Sequence, residues 1–280
     1  MCAVIGDPIE HSLSPTMHNS AFQHFSLNMV FLAFRVTPDQ LEHAIKGVRA
    51  LGIRGLNVTM PHKNSVTMFL DEADASVRFL HACNTILNQD GRLRGFNTDG
   101  VGAIRALKNS GVELTGKKVL LLGAGGAAKA IAFALIREVE ELHILNRDPA
   151  KARELMSLLE PWGKKILVGE LQPKRTFQEM QNSDLLVNAT SAGMAPNVHE
   201  TLVEPGWLKP GLSVMDIVYN PIETKLIRDA KAADCKTVNG VEMLLYQGAA
   251  SFEIWMGTKA PVDVMRTALL EKLSNVGATV

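Results

Sequence analysis

Two charged side chains, Lys63 and Asp99, lie where predicted strands give way to predicted helices. The run from Asn57 to Lys63 ends a short apolar strand, and Pro61 predicts the start of a helix. Lys63 then falls in the first helical turn, where the helix dipole disfavours a cation and suits a lysine to proton transfer. Asp99 opens another predicted helix, where the dipole favours its anion. If the fold brings the two together, they form a pair able to pass a proton to and from a hydroxyl; taken singly, they are a surface lysine and a helix cap.

Further polar side chains occupy similar junctions. Asn57 and Thr59 are two residues apart and so share one face of a strand end. Ser12 and Ser14 place hydroxyls beside a predicted helix N-terminus, which favours a carboxylate ligand. The alternative interpretation makes Ser14 simply the N-cap of that helix, with proline at the first helical position.

The segment from Lys117 to Arg147 predicts a strand, a glycine turn, a helix and a second strand. Gly123, Gly125 and Ala128 fit the G-x-G-x-x-G/A spacing of dinucleotide-binding folds. The first glycine permits a tight turn, the second lets the backbone approach a pyrophosphate, and the third small residue lets helix pack on strand. The sequence context on both sides therefore predicts a nucleotide site.

The residues after the second strand favour NADP(H) over NAD. An NAD site usually has an acidic residue there, which binds the ribose 2′-hydroxyl. This chain has Asn146 and Arg147 instead, so no carboxylate repels a 2′-phosphate and a guanidinium is available to bind one. Arg147 as a solvated residue at the start of the next helix is the alternative.

Composition excludes several other classes of protein. The 280 residues carry 29 basic and 29 acidic side chains, without a polybasic block that would indicate nucleic-acid binding. The sequence shows no signal peptide and no apolar stretch long enough to span a membrane. Its three cysteines lack C-x-x-C spacing and indicate reduced thiols, hence a cytoplasmic protein. The eight histidines form no metal-binding motif, so no metal is predicted.

Strands and helices alternate along the whole chain, which predicts an α/β layer fold. In the first hundred residues we expect helices at Pro61 and over Asp71–Leu80, followed by a hairpin with strands Ala82–Asn88 and Arg92–Phe96. A domain connection is predicted near residue 100.

Several motifs together resemble those of the shikimate dehydrogenase family. They are His11–Pro15, Asn57–Lys63, Ala82–Thr85, Gly95–Gly100, Asp216–Pro221 and Gly240–Ala249. With the glycine turn and Asn146-Arg147, the resemblance runs from Ile5 to about Trp255 and is far more specific than a lone glycine motif. His81 departs from the pattern, because a glycine is expected before Ala82.

The resemblance implies NADPH-linked reduction of 3-dehydroshikimate to shikimate, a step toward chorismate and the aromatic amino acids. Lys63 and Asp99 become the catalytic pair and also contact substrate. The substrate carboxylate is assigned to Ser12, Ser14 and Tyr219, and the ring hydroxyls to Asn57, Thr59, Asn84 and Gln247. The pyrophosphate is assigned to Gly123, Gly125, Gly126 and Ala127, the 2′-phosphate to Asn146 and Arg147, and the ribose and nicotinamide to Thr190, Gly240 and Met243.

The resemblance also implies a two-domain architecture. Residues 1–100 form a substrate-binding catalytic domain completed by 238–280, because the C-terminal helices return to it, and 101–237 form a Rossmann-type NADP-binding domain. A quinate/shikimate dehydrogenase with relaxed cofactor use is the nearest alternative. A non-catalytic NADPH-binding sensor is the alternative from another class. The sequence leaves the oligomeric state open, with a homodimer as one option.

Overall fold

The computed structural model describes residues 1–277, and these divide into two compact units. One unit comprises Met1–Gly102 together with the chain from Leu245 onward, and the other comprises Ala103–Leu244. Each unit contains one six-stranded sheet flanked by helices. The predicted α/β fold class is therefore confirmed, including the return of the C-terminal helices to the first unit.

The first unit begins with a mixed sheet. Its strands are β1 (Cys2–Gly6), β2 (Phe31–Arg35), β3 (Gly55–Val58), β4 (Glu72–Ala73), β5 (Thr85–Gln89) and β6 (Arg92–Phe96). Its helices are α1 (Ser14–His24), α2 (Leu41–Ala50), α3 (Ala75–Leu80) and the start of α4 (Asp99–Asn109). The strand order is β2-β1-β3-β5-β6-β4, and β5 is the strand that runs opposite to its neighbours.

The second unit has a fully parallel sheet. Its strands are β7 (Lys118–Leu122), β8 (Glu141–Asn146), β9 (Lys165–Glu170), β10 (Leu185–Asn188), β11 (Ser213–Asp216) and β12 (Lys236–Val238). Its helices are α5 (Gly126–Leu135), α6 (Pro149–Leu159), α7 (Pro173–Gln181) and α8 (Lys225–Ala232). The order β9-β8-β7-β10-β11-β12 is that of a doubly wound dinucleotide fold, with its switch point between β7 and β10.

The last two helices are α9 (Gly240–Met256) and α10 (Val262–Gly277). The C-terminal half of α9 packs on the first sheet through Trp255, which is fully buried and donates its indole N–H to the Ile86 carbonyl at 2.9 Å. Gly55 makes this packing feasible, because a Cβ at that position would lie 2.5 Å from the Trp255 ring. α10 packs against α1 and buries Met265 and Leu269.

Several local predictions were wrong. Residues 61–64 form turns and the 3₁₀ helix there is Ser65–Phe69, so no helix begins at Pro61. Asp71–Leu80 is not one helix, because Glu72–Ala73 pairs with β6 and Asp74 caps a helix that begins only at Ala75. Ser14 is the first helical residue, and Leu13 occupies the N-cap position. Helix α7 and strand β12 were not predicted.

His81 ends α3 in the left-handed conformation, with φ of 49°. This geometry explains why a glycine is the expected residue there, since glycine adopts positive φ without a Cβ penalty. The imidazole is exposed to solvent. The departure from the family pattern therefore sits at a helix end and changes no buried contact.

Candidate active site and nucleotide site

In the first unit, four polar segments meet at one edge of the sheet. The segments after β1 and β3 leave the same edge because these strands are parallel neighbours. β5 runs antiparallel to β3 with Thr85 opposite Asn57, so the start of β5 reaches that edge as well. β6 is antiparallel to β5 and ends opposite Thr85, which brings the start of α4 to the same place. Topology thus gathers residues that are distant in sequence.

Lys63 and Asp99 form an ion pair at this edge. Lys63 Nζ donates to Asp99 Oδ2 at 2.6 Å, with exposed side-chain fractions of 29% and 11%. The Lys63 carbonyl accepts the Cys83 N–H at 2.7 Å, which ties the turn to the segment before β5. Lys63 lies in this turn and not in a helix, so the predicted dipole effect on it is wrong. The two charges meet all the same, and Asp99 opens α4 as expected.

Asn84 fixes the orientation of the Asp99 carboxylate. Its Nδ2 donates to Asp99 Oδ1 at 2.7 Å, and its Oδ1 accepts the Thr98 N–H at 2.8 Å. The backbone N–H can only donate, so this second bond assigns the amide oxygen and nitrogen unambiguously. One carboxylate oxygen therefore contacts Lys63 and the other contacts a buried amide. These two contacts fix the orientation of the Asp99 carboxylate relative to Lys63.

Asn57 lies beneath this arrangement. Its Nδ2 donates to the Asn84 carbonyl at 3.1 Å, while its buried Oδ1 has no hydrogen-bond partner. Both ring nitrogens of the fully buried His18 are likewise without a hydrogen-bond partner. Burial lowers the pKa of His18 to about 3, an effect that Asn57 partly opposes, so the imidazole is neutral. The Asn57 amide supports Asn84 directly; its assignment to a substrate hydroxyl stays a prediction.

The remaining residues assigned to substrate in the first unit lie on neighbouring segments. The Ser14 N–H donates to Ser12 Oγ at 3.4 Å, so the two serines form one short turn. The Thr59 N–H donates to the Ile5 carbonyl at 3.0 Å, which joins the segment after β3 to β1. Gln247 is half-buried on α9. Within residues 1–277, no hydrogen bond links either serine to Lys63 or Asp99.

In the second unit, the glycine turn follows β7 as predicted. Gly123 has φ of 109°, and a Cβ there would lie 2.9 Å from the Ala189 carbonyl oxygen, so no side chain fits. Gly125 and Gly126 are exposed and begin α5 without a side-chain cap, with open space beyond each Cα. Ala127 is half-buried, and Ala128 is fully buried against the sheet. This uncapped helix end has the form that a pyrophosphate requires.

Asn146 and Arg147 lie at the carboxyl end of β8. Asn146 Nδ2 donates to the Asp148 carbonyl at 2.9 Å, and Arg147 is exposed. Lys129, on α5, is paired with Glu154 at 2.7 Å. Because that lysine is neutralised by its partner, Arg147 is the better candidate cation for a 2′-phosphate.

A second buried network supports the loop that contains Thr190. Thr190 Oγ1 donates to Asn188 Oδ1 at 2.7 Å, and Asn188 Nδ2 donates to Asp216 Oδ1 at 3.0 Å. Asp216 also accepts the Thr224 hydroxyl at 2.7 Å and the Val218 N–H at 3.1 Å. Burial raises the pKa of Asp216 to about 6, although these hydrogen bonds oppose the rise. The sequence did not predict that Asn188 and Asp216 support this loop. Asp216 begins the motif Asp216–Pro221, but its hydrogen-bond partners lie on separate elements.

Gly240, Met243 and Tyr219 complete the predicted set in this unit. A Cβ at Gly240 would lie 2.4 Å from the Ile217 carbonyl oxygen, so the chain can pass there only without a side chain. Met243 is buried and Tyr219 is 41% exposed. The structure therefore explains the glycine by close backbone approach, independently of any ligand.

No helix within residues 1–277 is both long and apolar enough to cross a membrane. In the same part of the chain, no grouping of His, Cys, Asp and Glu side chains could hold a metal ion.

A dinucleotide fold in one unit and a lysine–aspartate pair at the sheet edge of the other define a nucleotide-dependent oxidoreductase. Three family models match the chain. The shikimate dehydrogenase substrate binding domain matches residues 4–86, shikimate / quinate 5-dehydrogenase matches 105–236, and the shikimate 5'-dehydrogenase C-terminal domain matches 240–270.

Relatives of known identity agree with these matches. The shikimate dehydrogenase (NADP(+)) of Moorella thermoacetica is 45% identical, over 98% of this chain and 93% of its own. A shikimate dehydrogenase solved in complex with NADP+ superposes with a TM-score of 0.91 and 40% identity, covering 97% of this chain and 95% of that one. The Listeria monocytogenes shikimate 5-dehydrogenase, solved with shikimate and NAD, has a TM-score of 0.91 and 39% identity, covering 96% and 95%. The chain belongs to the shikimate dehydrogenase family, which confirms the predicted resemblance.

The buried Asp216 carboxylate predicts a pH-dependent stability. Its folded-state pKa of about 6 lies above the ordinary 3.8, so the folded protein binds the proton more tightly and stability falls as pH rises between these values. Asp216→Asn removes this titration. We expect the free energy of unfolding of the parent to fall relative to that of the variant by about 2 kcal/mol from pH 4 to pH 7, at ~1.4 kcal/mol per pKa unit.

Urea unfolding of both proteins at pH 4, 5, 6 and 7 measures this difference. Titrations common to both proteins cancel in the comparison. Parallel stability profiles across the four pH values would show that the Asp216 carboxyl does not titrate in this window.

Proposed function

We propose that this chain is an NADP-dependent shikimate dehydrogenase, which interconverts 3-dehydroshikimate and shikimate on the route to chorismate and aromatic amino acids. The observation that carries the proposal is the ion pair of Lys63 with Asp99, 2.6 Å long, at the edge where four polar segments meet. Family membership and the NADP(+) in the relative's name agree with the predicted enzyme and cofactor. When bound, NADP(H) supplies or accepts the hydride.

The protein's own chemistry is assigned to the lysine–aspartate pair. In the direction of reduction, the Lys63 ammonium gives a proton to the developing alkoxide, and Asp99 holds the lysine and the substrate hydroxyl in place. Asn84, already bonded to Asp99, orients the carboxylate and contacts the substrate ring. Catalysis thus depends on a preorganised polar edge more than on any single group.

Substrate recognition is assigned to side chains around the pair. Ser12, Ser14 and Tyr219 hold the substrate carboxylate, and Asn57, Thr59, Asn84 and Gln247 hold ring hydroxyls. The uncapped start of α5 at Gly125, Gly126 and Ala127, after the turn at Gly123, supports pyrophosphate binding. Asn146 and Arg147 face the 2′-phosphate, and Thr190, Gly240 and Met243 face the ribose and nicotinamide.

We also propose the domain roles implied by the resemblance. Residues 1–100 with 238–280 bind substrate, and 101–237 bind NADP(H). A cytoplasmic location is supported by Cys2, Cys83 and Cys235, which are buried free thiols. A homodimer is favoured by exposed apolar side chains on the edge strand β2, Leu32 and Phe34.

The first test offers the parent protein four combinations of alcohol and cofactor. We expect the rate with shikimate and NADP+ to exceed the rates with NAD+ or with quinate by roughly tenfold or more. Arg147 is assigned to the 2′-phosphate that NAD+ lacks, and Ser12 and Ser14 are assigned to the carboxylate of shikimate. Absorbance of the reduced cofactor measures each rate. Comparable rates with quinate or NAD+ would indicate the relaxed dehydrogenase. Cofactor binding without turnover in any combination would indicate a sensor.

Lys63→Ala tests the assigned proton donor. We expect kcat/KM for shikimate to fall roughly 10²–10⁴-fold, the usual contribution of general acid–base catalysis. The dissociation constant of NADP+, measured by fluorescence titration, should stay unchanged. Lys46→Ala is the matched control, since Lys46 is an exposed lysine paired with Glu42. Full turnover by Lys63→Ala would remove this residue from the mechanism.

Arg147→Ala tests the assigned cofactor preference. We expect KM for NADP+ to rise roughly 10- to 100-fold, the value of a hydrogen bond between charged groups, with KM for NAD+ unchanged. Arg228→Ala is the control, because Arg228 is another exposed arginine of the same unit and its guanidinium donates to the Glu223 carbonyl. An equal rise for both cofactors would place Arg147 outside the 2′-phosphate site.

A further inference from the structure

Three buried hydroxyls meet inside the first unit, and we call Thr85, Thr98 and Ser251 the hydroxyl cluster. Ser251 Oγ lies 2.8 Å from Thr85 Oγ1 and 3.3 Å from Thr98 Oγ1. The two threonine hydroxyls are 3.3 Å apart. All three side chains are excluded from solvent. Residues from β5, the segment before α4, and α9 thus converge on one point.

The hydroxyl cluster is bonded to the residues that hold Asp99. Thr98 immediately precedes Asp99, and its Oγ1 accepts from Asn84 Nδ2 at 3.0 Å. Thr85 Oγ1 also lies 2.9 Å from Asn84 Oδ1. Asn84 in turn donates to the Asp99 carboxylate at 2.7 Å. The hydroxyl cluster therefore lies one hydrogen bond behind the side chain that orients the catalytic carboxylate.

The same hydroxyl cluster reaches the helix that contains Gln247. Ser251 Oγ donates to the Gln247 carbonyl at 3.1 Å, one helical turn earlier on α9. It also accepts from Asn57 Nδ2 at 3.2 Å. A single serine hydroxyl thus connects the backbone at Gln247 to the sheet edge that holds Asp99. Gln247 is the one residue of α9 assigned to a substrate hydroxyl.

Apolar packing provides much of the docking of α9 on the sheet, beside the Trp255 indole bond to the Ile86 carbonyl. Phe252 and Trp255 are fully buried next to Ser251. Such packing favours association but tolerates small shifts along a helix, whereas hydrogen bonds between buried groups are satisfied in only one register. A slip of α9 would leave the hydroxyl cluster unpaired in a dry interior, at a cost that keeps the register fixed.

We propose that Ser251 is a positioning residue, whose hydroxyl sets the register of α9 so that Gln247 and the Lys63–Asp99 pair engage the same substrate. The inference rests on the proposed function and adds to it a residue that touches neither substrate nor cofactor. It acts through Gln247 on one side and through Asn84 on the other.

Ser251→Ala tests the proposal in the full-length enzyme. We expect KM for shikimate to rise roughly tenfold, the value of a lost buried hydrogen bond, with KM for NADP+ unchanged. Ser274→Ala is the matched control, because Ser274 makes the same type of backbone bond, to Leu270 at 2.9 Å, but is exposed on α10. A shikimate KM within twofold of the parent overturns the proposal, whatever happens to thermal stability.

The double variant Ser251→Ala with Gln247→Ala separates positioning from general destabilisation. The part of the Ser251 effect that passes through Gln247 is already lost in Gln247→Ala, so we expect the shikimate KM of the double variant to rise by less than the product of the two single effects. Effects that multiply would show that Ser251 does not act through Gln247, and would overturn that part of the proposal.

A substitution pair at Thr85 keeps the test valid if Ser251→Ala does not fold. Thr85→Val removes the hydroxyl and keeps the shape, while Thr85→Ser keeps the hydroxyl. We expect the valine variant to raise KM for shikimate and the serine variant to restore it. Equal KM in the two variants would show that the hydroxyl has no positioning role. Turnover of shikimate by the parent protein is measured before any variant is made. Its absence would contradict the proposed function and not the role of Ser251.

Discussion

The arrangement of the first unit depends on one half-buried ion pair. Holding Lys63 and Asp99 2.6 Å apart removes much of their hydration, which their mutual attraction repays only when the remaining hydrogen-bonding capacity is filled. Asn84 fills it on the carboxylate, and the turn at Lys63 is anchored through the Cys83 N–H. Behind Asn84, the hydroxyls of Thr85, Thr98 and Ser251 lie within hydrogen-bond distance of one another. The Lys63–Asp99 pair is therefore the exposed end of a buried polar network.

The reversed strand β5 makes this network feasible. A purely parallel sheet would bring only strand C-termini and helix starts to the edge. Because β5 is antiparallel, Asn84 and Thr85 enter the edge from the start of a strand, opposite Asn57. Their main-chain groups pair with both neighbouring strands, the Asn84 side chain bonds to Asp99, and the Thr85 hydroxyl lies behind Asn84. The reversed direction of β5 therefore explains how the Asn84 amide and the Thr85 hydroxyl come to lie near the Asp99 carboxylate, which belongs to α4.

The sequence predicted that Lys63 and Asp99 could pair, but predicted the local structure around Lys63 less well. The glycine turn, Asn146 at the end of β8, and Asp99 at the start of α4 were predicted because their signals are local. The helix at Pro61 was wrong because a proline signal cannot distinguish a helix start from a series of turns. The hydroxyl cluster was missed because Ser251 and Thr85 are 166 residues apart in the sequence. A serine in a predicted helix carries no local signal of so distant a contact. Contacts of this kind are set by topology, which single-sequence patterns do not encode.

The two buried aspartates, Asp99 and Asp216, differ in the groups that surround their carboxyls. Asp216 is fully buried and bonded to a hydroxyl, an amide and a backbone N–H, all neutral groups, and its pKa rises to about 6. Asp99 has a similar amide partner but faces a lysine and keeps part of its surface open. Neutral donors surround the Asp216 carboxyl in a dry site, whereas Lys63 pairs with the Asp99 carboxyl at the sheet edge. The same side chain thus supports a loop in one unit and forms half of an ion pair at the sheet edge of the other.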